Sequence, residues 1–186
     1  MPALPKKIMV VGLGNPGKKY EFTRHNLGFR VLDRLREQIG MPTWQLQKAL
    51  AAEVSEARIG GVQVVLLKPL TYMNLSGKSV KAALKQYGMR VSNLHVVHDD
   101  KDVMLANLKV KSGSSAAGHK GVASLIEELG SKNFNRYRMG IMAPSAEGVE
   151  TEKYVVSKFL PDEEPAIRNA IDQTTDTIIA DLGLGR

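Results

Sequence analysis

The chain carries four histidines and no cysteine, which excludes a disulfide framework and any thiolate metal site. His25 has the most suggestive neighbours. It stands in Thr23-Arg24-His25-Asn26, among polar residues just before a helical pattern. Imidazole is the one side chain whose ordinary pKa, about 6.5, suits proton transfer near neutrality. A second candidate is the loop Gly12-Leu13-Gly14-Asn15-Pro16-Gly17, a literal G-x-G-x-x-G after the apolar run Ile8-Met9-Val10-Val11. A dinucleotide-binding turn needs a helix opening at those glycines and an acidic residue about 20 positions on, at a strand end. Here Pro16 and Lys18-Lys19-Tyr20 interrupt the helix start, and Asp33 falls inside a helical pattern. What the loop offers is a tight turn that presents Asn15 at the carboxyl end of a strand, where α/β proteins place ligands. Further on, His98, Asp99, Asp100 and Asp102 are all possible metal ligands. Strand alternation sets His98 and Asp99 on opposite faces, however, and no His-x-x-x-His helix accompanies them. Ser114 and Ser115 precede Gly118-His119 without the G-x-S-x-G elbow of a serine hydrolase. Taken alone, Met73 and Asn74 in "TYMN" are core filler and loop.

These residues need a scaffold. Strands are expected at 8–13, 49–57, 62–68, 94–99, 105–110 and 137–142, with Gly60-Gly61 as a hairpin turn. Helices are expected at 26–39, at 76–87 with Ser76 as N-cap and Gly88 as stop, at 121–129, and at 162–182. In the last of these, Ile167, Ala170, Ile171, Thr174, Ile178 and Ile179 share one face. Alternating strands and helices with one inserted hairpin predict the α/β class, a twisted mixed β-sheet flanked by helices. No repeat or linker divides the chain, so residues 1–186 are expected to form a single domain. The first seven residues are too short and too polar for a signal peptide, and no apolar stretch approaches the ~18 residues of a membrane span. A cytoplasmic location is therefore expected, with a mitochondrial or plastid matrix as the alternatives. The net charge of +7 and pI near 9.6 point to a polyanionic partner such as nucleic acid.

The stretches "GLGNPGKKYEFTRHNLGF", "KPLTYMNLSG", "VVHDDKD" and "GSSAAGHKG" resemble successive motifs of the bacterial-type peptidyl-tRNA hydrolases. "KYVVSKFLPDEE" resembles the stretch that opens the C-terminal helix of that family, so the resemblance covers nearly the whole chain. It implies hydrolysis of the ester between a peptide and the 3′-terminal ribose of tRNA, without metal, cofactor or covalent intermediate. It implies that His25 is the catalytic base, Asp99 its partner, and Asn15 and Asn74 polar groups of the pocket. Tyr20 and Met73 would line the cleft, and Lys109, Lys111 and Arg138 would hold tRNA. The residue types suit these roles. A carboxylate on one imidazole nitrogen fixes the tautomer and stabilises the imidazolium, and amides can hold a water or a carbonyl.

Lys78, Lys81 and Lys85 form a stripe on one helix, while Lys109 with Lys111 and Arg136 with Arg138 alternate onto strand faces. Each stripe is either a solvated face or a set of contacts to tRNA phosphates, which position without reading sequence. Few aromatics argue against a stacking platform. A monomer is expected, with peptidyl-tRNA as its partner.

Two stretches depart from the family pattern. Gly118-His119-Lys120-Gly121 stands where the family usually has Gly-His-Asn-Gly. A lysine there cannot accept a hydrogen bond, and its charge would oppose an imidazolium at His25 or meet a phosphate of the substrate. "KDVMLANLKVK" lacks the usual Pro and Gly after the acidic motif. Two functional classes follow: an esterase acting on peptidyl-tRNA, or a catalytically weak relative that keeps the fold and binds RNA.

Overall fold

The structure, a computed structural model, describes residues 6–185, so most of the short polar start of the chain lies outside the described residues. Unbroken apolar runs make the centre of the sheet. Strand β1 (Lys7–Gly12) lies between β4 (Val62–Pro69) and β5 (Leu94–Met104), parallel to both, and β7 (Asn135–Met142) continues parallel to β5. Such runs suit strands covered on both faces. The margins are antiparallel: β3 (Ala52–Ile59) on β4, β2 (Gln45–Gln47) on β3, and β6 (Leu108–Ser112) on β7. The seven strands run in the order β2-β3-β4-β1-β5-β7-β6. The expected hairpin turn joins β3 to β4 at Gly60 and Gly61, with φ of 53° and 82°, a conformation open to glycine.

Helices α1 (Leu27–Gln38) and α5 (Glu164–Leu182) cover one face through Val10, Leu66 and Val97. Helices α2 (Ser76–Gln86) and α3 (Lys120–Leu129) cover the other through Val11, Leu67 and Val96. The chain leaves β1 toward β4 on one side and returns to β5 on the other. The carboxyl ends of β1, β4 and β5 therefore open onto the kind of crevice where such sheets bind ligands. The start of α1 is pressed into that crevice. A Cβ on Gly28 would collide with the backbone of Leu13 and Val97, and one on Gly12 with the carbonyl of Gly28. No helix among the described residues is long and apolar enough to cross a membrane.

Several expectations need correction. The strand expected at 49–57 starts at Ala52, because Lys48–Leu50 form a 3₁₀ turn closed by Ala51 at φ 46°. β5 runs on to Met104, with an irregular register between Asp100 and Met104. The next strand begins only at Leu108, after Ala106 at φ 63° donates its N–H to Gly140. That alanine takes a left-handed turn that glycine would adopt more easily, which is how this chain closes the loop lacking the usual Pro and Gly. Ser76 is not an N-cap: it is the first residue of α2, and its hydroxyl donates to the Met73 carbonyl. Helix α4 (Thr151–Val155) and β2 were not expected; each is too short to show a period.

Candidate active site

The Asn15 loop follows β1, and its geometry is over-determined. The Asn15 N–H donates to Asn26 Oδ1 at 2.9 Å, and Asn26 Nδ2 donates back to the Asn15 carbonyl at 2.9 Å. The Met73 N–H donates to Asn15 Oδ1 at 2.8 Å. A backbone N–H can only donate, so these bonds fix both amide orientations. The Asn15 NH₂ is left without a protein partner among the described residues, in a side chain that lines a cleft of about 640 Å³. Asn74 lines the same cleft from the 3₁₀ turn Met73–Leu75, at the end of the β4 loop. Met73 is 4% exposed and forms part of the same wall.

His25 enters from the 3₁₀ turn Arg24–Asn26 that precedes α1. Its Nδ1 lies 2.9 Å from each carboxylate oxygen of Asp99, midway along β5 and just before its register becomes irregular. Both side chains are buried, at 7% and 1% exposure. Burial opposes a charge on His25, but the Asp99 carboxylate overrides it and raises the imidazole pKa above its ordinary value, with Lys120 pulling the other way. Burial likewise opposes the Asp99 charge. The two imidazoles that bond it nevertheless hold Asp99 well below the usual carboxylate range.

The second imidazole is His119, which the sequence did not single out. It is the N-cap of α3: its Nδ1 accepts from Gly121 N at 3.1 Å and Val122 N at 3.3 Å. Its Nε2 lies 3.0 Å from Asp99 Oδ1, and its ring centroid is 4.8 Å from that of His25. Because Nδ1 accepts, the ring proton sits on Nε2 and donates to Asp99.

The metal reading of "HVVHDDKD" does not hold together. His98 packs its ring 4.8 Å from that of His119 and does not bond the Asp99 carboxylate; its Nδ1 donates to the Asp99 carbonyl at 2.7 Å. Asp100 accepts from Arg138 at 2.7 Å, and Asp102 accepts from Lys101 at 3.1 Å. Among the described residues only His25, Asp99 and His119 bring possible ligand atoms together, within 4.8 Å. In that group His119 faces Asp99 with an N–H, not a lone pair, so it is not disposed to ligate.

The rest of the expected site divides. Lys120 lines the cleft, but its ammonium is exposed and donates to Glu152 of α4 at 2.7 Å. That pair spans the cleft mouth, and it holds the Glu152 carboxyl below its ordinary pKa. Tyr20 is not among the residues that line the cleft. It belongs to the 3₁₀ turn Lys18–Tyr20, with the Lys19 ammonium 4.8 Å from its ring centroid, and Tyr72 lines the cleft instead. Lys109 and Lys111 are exposed on β6, in register with Arg138 and Arg136 on β7. They do not line the cleft; Lys109 borders a separate hollow with Asn107 and Asp176. Arg138 is half-buried on Asp100, and Arg136, at 2% exposure, is tied to the Ser115 carbonyl and withdrawn from the basic stripe. Ala116, Val155 and Val156 complete an apolar wall. Arg24 and Asn26, on either side of His25, also escaped the sequence reading. The only hint was their polarity at a position that is buried.

Comparison with known proteins points to one family. A family model described as peptidyl-tRNA hydrolase matches residues 9–183. The peptidyl-tRNA hydrolase of Shouchella clausii is 42% identical over 172 residues, covering 92% of this chain and 91% of the relative. That of Aquifex aeolicus is 44% identical over 163 residues, covering 88% and 83%. The crystal structure of peptidyl-tRNA hydrolase from Acinetobacter baumannii superposes with a TM-score of 0.85 at 31% identity, covering 95% of this chain and 88% of that one. With its fold matched across the sheet and its sequence matched along nearly its whole length, the chain belongs to the peptidyl-tRNA hydrolase family.

Proposed function

We propose that this chain hydrolyses the ester of peptidyl-tRNA with His25 as general base. The observation that carries the reading is the buried Nδ1–Asp99 bond, 2.9 Å to each oxygen, in a cleft that also presents Asn15 and Asn74. With Nδ1–H committed to Asp99, the His25 lone pair is on Nε2. There it takes a proton from water as the water oxygen attacks the ester carbonyl carbon. The carbonyl oxygen gains negative charge, and the NH₂ groups of Asn15 and Asn74 are the donors available to it. Collapse breaks the bond to the ribose oxygen, which takes the proton back from the imidazolium. The products are free tRNA and the peptide carboxylic acid, which gives up its remaining proton to solvent and leaves as the carboxylate. Asp99 supports the charged ring between the two transfers.

The apolar wall of Tyr72, Met73 and Val155 suits the peptide side. Lys120 meets the anionic end of the tRNA, and Lys109, Lys111 and Arg138 track its phosphates from the neighbouring edge. The chain acts as a monomer and a single domain, wherever translation runs, in cytoplasm or organelle matrix. Turnover of a labelled peptidyl-tRNA by the purified protein tests this reading. Tight tRNA binding without release of peptide would instead favour the RNA-binding relative, but nothing in the cleft favours that alternative, because its base, carboxylate and amides are all present.

A further inference from the structure

We propose that His119 is a positioning residue, which carries the fixed orientation of the α3 N-terminus to Asp99 and so holds His25 in its working tautomer. This rests on the reading of His25 as base. Asp99 has two side-chain partners among the described residues, His25 and His119, and Oδ1 is shared between them. Its carboxylate is attached through a single rotatable bond, and His25 alone does not fix the plane of that group. His119 does, because His119 cannot rotate. Two backbone N–H groups of a ten-residue helix point at its Nδ1. They oblige the ring to be a donor at Nε2, and that donor points at Oδ1.

The consequence is an asymmetry between two imidazoles on one carboxylate. Protonating His119 at Nδ1 would break both cap bonds, whereas protonating His25 at Nε2 breaks none. The proton from water therefore goes to His25, and Asp99 remains an acceptor on both sides. His119 also takes up part of the Asp99 charge. Without it, Asp99 would bind the His25 imidazolium more strongly but less well oriented. Lys120, on the same helix, is the remaining charge that faces His25, and the buried ring of His98, from β5, packs 4.8 Å from that of His119.

The test separates the two bonds of one ring. In His119→Asn the amide oxygen stands about where Nδ1 stood, so the helix cap survives, while nothing reaches Asp99. In His119→Gln the amide nitrogen stands about where Nε2 stood, so the bond to Asp99 is restored and the cap is weakened. With His25→Ala assayed first to establish the base, His119→Asn is expected to keep its Tm. It should lose kcat by roughly tenfold or more at unchanged KM, because the reacting groups are misplaced. The acid limb of its kcat/KM profile should move to higher pH. His119→Gln is expected to lower Tm and recover most of kcat. Activity that follows Tm across both variants, or a His119→Asn enzyme with wild-type kcat and pH profile, would reduce His119 to a helix cap. Long-range ¹H–¹⁵N spectra of the wild-type protein give a readout independent of folding and turnover. His119 should carry its proton on Nε2 and His25 on Nδ1; a proton on His119 Nδ1 overturns the proposal.

Discussion

Two buried acid–base pairs start from consecutive residues of one 3₁₀ turn. Arg24 bonds Glu163 at 2.7 Å, and His25 bonds Asp99 at 2.9 Å. In the first pair the guanidinium is 1% exposed, enclosed between the rings of Tyr154 and Phe159, and bonded also to Ser157 and Ser145. Glu163 accepts further from Ser145 and from the Leu160 N–H. That pair fastens the turn to the segment that carries α4 and α5. In the second pair one nitrogen of the ring is committed and the other is left to the cleft. Burial and pairing are common to both, so neither marks the chemistry. What differs is an uncommitted nitrogen, on an imidazole, whose ordinary pKa suits proton transfer, beside space for a substrate.

The sharpest break of that comparison is on the catalytic side. Asp99→Asn is expected to lower kcat on the order of 10²–10⁴-fold, since an amide neither stabilises the imidazolium nor enforces the tautomer. Asp99 raises the His25 pKa, so its loss should move the acid limb of the kcat/KM profile to lower pH. The same pair stabilises the fold in a definite window. His25 contributes fully below its ordinary pKa, and that contribution fades as pH rises through the raised value. Asp99 contributes above its ordinary range, and its contribution is lost as pH falls toward its depressed value. Urea titrations across pH, with wild type and Asp99→Asn side by side, check this.

On the structural side the damage should appear in stability. Arg24→Ala leaves Glu163 buried and unpaired and is expected to cost about 3–5 kcal/mol in urea unfolding. Replacing both partners, Arg24→Met with Glu163→Leu, should recover most of that loss, because apolar groups of similar volume need no pairing. The double variant is expected to keep a kcat within a few-fold of wild type. If it folds well but is as inactive as Asp99→Asn, the two pairs are not separable in the way described.

Smaller effects are expected at the periphery. Replacing Lys109 and Lys111 together by alanine should reduce the salt slope of tRNA affinity by up to about 1.4–1.8 units, if each neutralises one phosphate, with kcat little changed. The smallest effects belong to the cleft mouth. An exposed ion pair such as Lys120–Glu152 contributes little to stability. Glu152→Gln leaves the Lys120 charge uncompensated and should move the acid limb slightly to lower pH, while Lys120→Asn should move it upward and raise KM. Superimposable profiles would show that the charge does not reach His25.

Much of this was legible in the sequence, and the exceptions have a common cause. The central strands announce themselves as apolar runs, and the turns at Gly60-Gly61 and Gly88 follow from backbone freedom, all local properties. His25, Asp99, Asn15 and Asn74, which the fold brings to one cleft, stand out by residue type and by resemblance. Pairings over long sequence separations were not. Nothing local says that Arg24 meets Glu163, that His119 meets Asp99, or that Arg136 is withdrawn under Ser115 while Lys111, its neighbour in register, stays exposed. Tyr20 and Tyr72 are alike in type, and only the path of the loops decides which lines the cleft.

The central claim is that His25 takes the proton from water without help from a metal. It is tested most directly by hydrolysis of a labelled peptidyl-tRNA under saturating enzyme, after exhaustive chelation and gel filtration, with wild type and His25→Ala compared at matched tRNA affinity. The account predicts that the chelated wild type turns over normally, while His25→Ala binds the substrate and loses roughly 10²–10⁴-fold in rate. A His25→Ala enzyme with near wild-type rate, or a chelated wild type revived only by a divalent ion, would contradict it.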